Sequence, residues 1–309
     1  MSRVLVTGGG GFIGHPTLEA LRRRGHEVHA VSRHPQASPG DVTWHTGDLL
    51  QPGAAAELIE RVRPAMLVHL AWYAEHGKFW DSPENERWVT ASKGLLEAFV
   101  AAGGRRAVLA GSCVEYDWSE GGVFAEDHPL HPAPPYGRAK LELSRAAQAL
   151  ADRAGLELAW ARLFFLFGPR EHPERLVSSV ARRILAGEEA PVSEGSQVRD
   201  FIYVLDAAEA LAELLDSRVN GAVNVASGIP TAVGDLVDMV AEQAGRPELV
   251  KRGAIPMREG DPPVLVADVT RLTDEVGWSP PESLDHGIER TVAWWRERIP
   301  VKMRQPPAR

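Results

Sequence analysis

One cysteine, Cys113, stands in a chain of 309 residues, so no internal disulfide can form, and a reducing compartment is the expected setting. No apolar run approaches the roughly 18 residues that a membrane span requires, and no charged-then-apolar leader opens the sequence; a cytoplasmic enzyme without a membrane partner is expected. Positive charge is in short supply, with 34 Lys and Arg against 42 Asp and Glu, and the net charge of −8 argues against a nucleic-acid partner. The 11 histidines are scattered, and no Cys/His spacing matches zinc ligation, so no metal is expected. Repeats and low-complexity segments are missing as well, and only residues 300–309 read as a frayed tail.

What the chain does have begins at Val4-Leu5-Val6-Thr7, a β-branched run that drops into Gly8-Gly9-Gly10-Gly11-Phe12-Ile13-Gly14 and then into a helical period. Strand, tight glycine turn and helix is the order a dinucleotide site needs. Gly8 permits the sharp turn, Gly11 lets the backbone approach a diphosphate, and Gly14 allows close packing of helix on strand. Phe12 and Ile13 lie in the same loop. After the second strand comes Arg33, with no acid to take a ribose 2′-hydroxyl; an arginine there suits a 2′-phosphate, so NADP is expected ahead of NAD. A third strand closes on Asp48 and Leu49, placed for the adenine. A fourth, almost wholly apolar, ends at Leu70 and Ala71, where small residues let the backbone lie against the cofactor, and Trp72 opens an aromatic loop to Asp81 that suits contact with a sugar or base or packing beneath the loop. His69 in that strand reads as a packed core histidine. Strands alternating with helices predict an α/β fold with a doubly wound parallel sheet, ligands binding at the strand C-termini.

The chemistry is carried by Ser112, Tyr136 and Lys140. Tyr136 and Lys140 are four residues apart on a predicted helix and share a face. An ammonium beside a phenol favours the phenolate, which would bring a group with an ordinary pKa near ~10 toward use at neutral pH. Ser112, at the end of the fifth strand, can hold a substrate oxygen while Tyr136 exchanges a proton with it. Cys113 and Glu115 lie beside Ser112 and are candidate substrate contacts.

In that order these motifs resemble the extended short-chain dehydrogenase/reductases, the nucleotide-sugar epimerase, dehydratase and ketoreductase group. The likeness runs from Arg3 to about Trp295 and takes in Gly47-Asp48-Leu49, Tyr136 to Lys140, Arg162, Gly168-Pro169, Arg199 to Val204 with Asp206, and Asn224 to Ser227. It implies Ser112, Tyr136 and Lys140 as the catalytic triad, Arg199 and Arg258 as holders of a substrate diphosphate, and a homodimer formed through the helices near 83–102 and 136–154. Departures narrow the activity. Cys113-Val114 stands where 4,6-dehydratases carry Asp-Glu, and Phe165 replaces a usual Asn. The stretch from Gly111 to Trp118 most resembles the deoxysugar 4-ketoreductase branch that includes CDP-abequose and CDP-paratose synthases.

The expected layout is a Rossmann cofactor domain of residues 1–163 and 199–226, with a smaller, discontinuous substrate lobe of residues 164–198 and 227–299. A nucleotide sugar is expected in the cleft between them. The leading expectation is NADP-dependent reduction of a nucleotide-bound 4-keto-deoxyhexose. The alternatives are a nucleotide-sugar 4-epimerase with tightly held NAD and a non-catalytic NAD(P)-binding sensor or scaffold.

Overall fold

The first strand, β1 (Arg3–Thr7), sends Val4 and Val6 to one hydrophobic cluster and Leu5 to another, the two-residue period of a strand covered on both faces. The structure is a computed structural model and describes residues 1–34, 40–257, 260–281 and 283–299. From β1 the chain runs through α1 (Gly14–Arg23), β2 (Glu27–Ser32), β3 (Val42–Thr46), α2 (Ala54–Val62), β4 (Met66–His69), α3 (Glu84–Ala101) and β5 (Arg106–Ser112). It continues as β6 (Gly122–Phe124), α4 (Pro135–Ala154), β7 (Glu157–Leu163), β8 (Phe165–Phe167), α5 (Leu176–Ala186), β9 (Ala190–Pro191), β10 (Val198–Tyr203), α6 (Val204–Asp216) and β11 (Gly221–Val225). The last elements are β12 (Pro230–Ala232), α7 (Val233–Ala244), β13 (Val250–Lys251), β14 (Val264–Ala267) and α8 (Leu284–Arg298).

The main sheet is parallel throughout, in the order β11-β7-β5-β4-β1-β2-β3. Helices α1 and α6 cover one face through Leu18, Leu21, Leu211 and Leu214; α2, α3 and α4 cover the other through Ile59, Leu95, Leu96, Phe99 and Leu143. From β1 the strand order runs outward in both directions, so a crevice opens beyond the C-terminal ends of β1 and β4, where an open parallel sheet takes its ligand. The doubly wound fold expected from the sequence is therefore present, with a separate C-terminal lobe.

Two segments join differently from the expected layout. Arg199 to Val204 was expected to return the chain to the cofactor domain; β10 instead pairs with β12, β14 and β8, and the chain regains the main sheet only through α6 and β11. The physical reason is that the far edge of the main sheet is filled by β11, which lies in register with β7 from Gly221↔Ala159 to Val225↔Leu163. Gly122–Phe124, within the first half of the sequence, also belongs to the second sheet, paired with β14. Beside that sheet α5, α7 and α8 share a core of Val177, Val180, Ile184, Leu236, Val237, Val240, Ile288 and Val292. The expected tail at 300–309 lies outside the described residues.

The apolar side chains of α3 and α4 are used within the chain: Val89, Leu95, Leu96, Phe99, Leu141 and Leu143 are buried. The exposed side of these two helices carries Glu86, Arg87, Thr90, Glu97 and Glu142, with Lys93 bonded to Glu142 across it. Among the described residues no helix is long and apolar enough to cross a membrane.

Candidate active site

The crevice is shaped by backbone contact at glycine. Gly8 adopts φ 73°, and a Cβ there would lie 2.8 Å from the Ala71 amide nitrogen, so the turn after β1 rests directly on the turn after β4. Gly14 opens α1, and a Cβ on it would overlap the Gly8 carbonyl oxygen. Helix α1 begins at Ile13 with no side-chain cap and no acid in its first turn, so its leading N–H groups keep the positive end of the helix toward the Gly8–Gly14 loop. That cradle suits a dinucleotide diphosphate. Phe12 and Ile13 are half-buried at its rim. Asp48 is also half-buried and accepts from the Leu50 amide at 3.1 Å, while Leu49 is buried beneath it. Arg33 is exposed just beyond β2.

Between the two turns sits His69, bonded to Thr7 Oγ1 at 2.6 Å and to Ser92 Oγ at 2.8 Å. Burial, and then the Lys140 charge, depress its pKa to about 3, so it is a neutral structural bridge at physiological pH. Thr7 Oγ1 also accepts from the Ala71 amide at 3.2 Å, which fixes the Leu70-Ala71 backbone over Gly8.

Ser112, Tyr136 and Lys140 converge at the C-terminal end of β5. Ser112 caps a short 3₁₀ turn, accepting from the Val114 amide at 3.3 Å, and its hydroxyl favours the charged form of the Tyr136 phenol. The Tyr136 ring is walled by Trp72, Phe79 and Trp80, all edge-on, with centroids 6.5, 5.0 and 5.9 Å away, and its amide donates to the Trp80 carbonyl at 3.0 Å. Lys140 Nζ donates to the Ala110 carbonyl at 2.9 Å and lies 3.8 Å from the Trp72 ring centroid, a cation–π contact.

The electrostatics differ from the expectation that Lys140 makes Tyr136 acidic. Lys140 Nζ is 5.9 Å from the Tyr136 ring centroid, and burial raises the Tyr136 phenol above its ordinary value against the pull of the Ser112 hydrogen bond. Burial also lowers Lys140 to about 7, partly opposed by Glu115. Both groups sit in a dry pocket, and desolvation penalises the charged form of each.

Three of the expected substrate contacts are placed elsewhere. Glu115 is fully buried: its carboxylate accepts from the Ser112 amide at 2.7 Å, from Trp160 Nε1 at 2.9 Å and from Arg162 Nε at 3.1 Å. It braces the Ser112 turn from behind, because the buried Arg162 guanidinium draws the carboxylate inward. Cys113 is buried among Phe124 and Phe164, and burial pushes its thiol up to about 12, so it is an inert filler. Arg199 is buried as well, ion-paired with Asp261 at 2.6 Å, and its Nη1 donates to the Val198 and Pro262 carbonyls at 2.8 and 2.9 Å. Arg258 lies outside the described residues. Trp72 does line the site, its indole N–H fixed by Asn85 Oδ1 at 2.9 Å.

The loop after β8 adds groups the sequence reading gave no role. His172 stacks on His76 with ring centroids 4.8 Å apart, and ligand atoms of these two and Glu174 lie within 4.8 Å of one another. Arg175 acts electrostatically on Tyr136 from the same loop. The available signal was the run of charged residues directly after Gly168-Pro169.

A parallel sheet with a glycine cradle over α1 and a Ser-Tyr-Lys cluster beyond β5 defines an NAD(P)-binding enzyme of the short-chain dehydrogenase/reductase kind. The profile of the NAD dependent epimerase/dehydratase family matches residues 4–226, and the chain belongs to that family. Among its relatives, UDP-glucose 4-epimerase of Corynebacterium glutamicum is 29% identical over 94% of each chain. The structure of Thermus thermophilus UDP-glucose 4-epimerase in complex with NAD superposes with a TM-score of 0.86, at 29% identity, over 96% of this chain and 100% of that one. MoeE5 in complex with UDP-glucuronic acid and NAD gives a TM-score of 0.85 at 34% identity, again covering 96% and 100%.

Proposed function

We propose that the chain is an NAD-dependent 4-epimerase of a nucleoside-diphosphate hexose. The observation that carries this reading is full-length similarity to 4-epimerases joined to the Ser112–Tyr136–Lys140 cluster. It replaces the expected 4-ketoreductase. The expectation of NADP rested on Arg33 and on the missing ribose-binding acid; Arg33 is exposed, while the structural relatives are described with NAD. Dehydratase chemistry is disfavoured because Cys113 and Val114, buried in the core, take the place of an acid pair.

In this reading the Gly8–Gly14 loop and the start of α1 hold the dinucleotide diphosphate, Asp48 and Leu49 face the adenine, and Leu70 and Ala71 support the rest of the cofactor. A dinucleotide held there would supply the hydride acceptor and donor for the sugar C4 centre. Tyr136 takes the proton of the 4-hydroxyl and gives it back to the 4-keto oxygen, so proton and hydride are both conserved over a cycle. Ser112 keeps a hydrogen bond on that oxygen. Lys140, fixed by the Ala110 carbonyl and the Trp72 ring, would stand on the nicotinamide ribose side. Phe79, Trp80 and Trp72 keep water from the ketone.

UDP-glucose and UDP-glucuronic acid, named with the relatives, are the substrates to try first. Purified enzyme incubated with UDP-glucose and no added cofactor is expected to form the C4 epimer, resolved by anion-exchange chromatography. No epimer from either sugar, with NADPH consumed on a nucleotide 4-keto sugar, would return the reductase to first place.

A further inference from the structure

Two loops from different lobes bring two imidazoles and a carboxylate to one spot. His76 belongs to the segment between β4 and α3, on the cofactor side; His172 and Glu174 belong to the segment between β8 and α5, which leads into the second lobe. The imidazoles stack with ring centroids 4.8 Å apart and planes inclined by 20°, and one ligand atom from each of the three side chains lies within 4.8 Å of the other two. Among the described residues, the His76 ring and the Glu174 carboxylate have no hydrogen-bond or ion-pair partner. His172 has one: its Nδ1 accepts from the Glu174 amide at 3.3 Å, a length at the weak end of such bonds.

Each half of the cluster is held from behind. On the first loop, the Lys78 and Phe79 amides both donate to the Glu75 carbonyl at 3.1 Å, closing a turn with His76 inside it. The Glu75 carboxylate is taken by Lys78 Nζ at 2.6 Å and by the Tyr73 hydroxyl at 2.9 Å, which removes it from the ligand set. The same turn delivers Phe79 and Trp80 to the wall around Tyr136. On the second loop, the Arg175 amide donates to the His172 carbonyl at 3.0 Å. Glu171 accepts from Ser178 Oγ at 2.8 Å, and Ser178 Oγ accepts from Trp295 Nε1 at 3.1 Å. His172 is thereby tied to α5 and α8, and His76 to the Tyr136 wall.

Two imidazoles and a carboxylate are ligands for Zn²⁺ and its neighbours Co²⁺ and Ni²⁺, whereas Mg²⁺ and Ca²⁺ seek oxygen alone. Zinc bonds of about 2.0–2.1 Å set tetrahedral ligand atoms about 3.4 Å apart, so the cluster closes with no more than about 1.5 Å of side-chain movement. His172 and Glu174 are exposed and His76 is half-buried, which lets an ion enter from solvent. We propose that His76, His172 and Glu174 form a site for a zinc-class divalent ion that staples the two lobes together beside the Tyr136 wall, with water in the fourth position. The ligands come from segments far apart in the chain, so no Cys/His spacing announces them. The site stands whether the bound sugar is epimerised or reduced.

The test titrates ZnCl₂ by calorimetry into holoenzyme that has been stripped with EDTA and desalted. It compares the wild type with His76→Ala, His172→Ala and Glu174→Gln, with MgCl₂ as the control ion. The wild type is expected to bind one zinc per chain and no magnesium. Each histidine variant is expected to lose at least about 10-fold in zinc affinity, since even an outer partner of a metal ligand is worth that much, and Glu174→Gln to lose less. Tm in EDTA close to that of the wild type shows that the variants are folded, and His76→Gln repeats the test with a side chain of similar bulk. Zinc bound equally by the wild type and both His76 variants would place the ion on the second loop alone and overturn the staple. Zinc bound equally by every variant would place it elsewhere, magnesium competing for the site would overturn the zinc-class assignment, and no binding at all would end the proposal.

Discussion

Glu115 and Arg162 form an ion pair closed to solvent, Oε2 to Nε 3.1 Å, directly behind the Ser112 turn. Arg162 extends the network through Nη1 to the Tyr116 hydroxyl at 3.0 Å and the Glu126 carbonyl at 2.8 Å, and the Tyr116 hydroxyl donates to Asn224 Oδ1 at 2.6 Å. Glu115→Ala would leave a buried guanidinium without its partner. The expected cost is about 3–5 kcal/mol, read from denaturant unfolding, with a smaller loss for Glu115→Gln, which keeps acceptors for Trp160 and the Ser112 amide. An Ala variant as stable as the wild type would show that the pair contributes no net stability.

The glycine cradle makes a second prediction. A methyl group at Gly14 would overlap the Gly8 carbonyl and come within 2.7 Å of Gly9 Cα, so Gly14→Ala must push α1 away from β1. The variant should copurify with less than a tenth of the dinucleotide held by the wild type and lose about 1–3 kcal/mol of stability. Full retention of dinucleotide would mean that the diphosphate is held elsewhere.

Tyr136→Phe removes the proton carrier while keeping the ring that packs on Phe79 and Trp80. Epimerisation should fall by about 1,000-fold with NAD still bound. An active Phe variant would take the chemistry away from Tyr136 and revive a binding role for the fold.

Glu171 should give stability a specific pH dependence. Its carboxyl is raised by burial from 4.5 to about 7, so the folded protein holds a proton that the unfolded chain releases. The stability it contributes is fully present below pH 4.5 and lost as pH rises through about 7, on the order of 3 kcal/mol over that window. Comparing the wild type with Glu171→Gln at pH 5 and pH 8 isolates it: the variant should gain on the wild type at the higher pH. A difference that does not change with pH would mean that Glu171 is ionised throughout.

Much of this was legible in the residues. The glycine turn after Val4-Leu5-Val6, the central strands and the spacing of Tyr136 and Lys140 are local patterns, and local patterns survive folding. His69 was likewise read as a core histidine, and Thr7 and Ser92 hold it there. What escaped the sequence was long-range. Glu115 read as a loop acid because its partner, Arg162, is 47 residues away. The three-residue strands β6, β8 and β12 are too short to show a period, and their pairing with β10 and β14 was therefore hidden. The lowered phenol pKa expected for Tyr136 failed for a related reason: adjacency on a helix says nothing about how dry the pocket is.

The most direct measurement is the identity of the retained cofactor. Purified enzyme is denatured, and the released dinucleotide is weighed by mass spectrometry and counted per chain. An NAD-dependent epimerase that recycles its own hydride should release close to one NAD per chain and need no added cofactor. No bound dinucleotide, with titration showing a clear preference for NADPH, would contradict the account and make the protein a reductase.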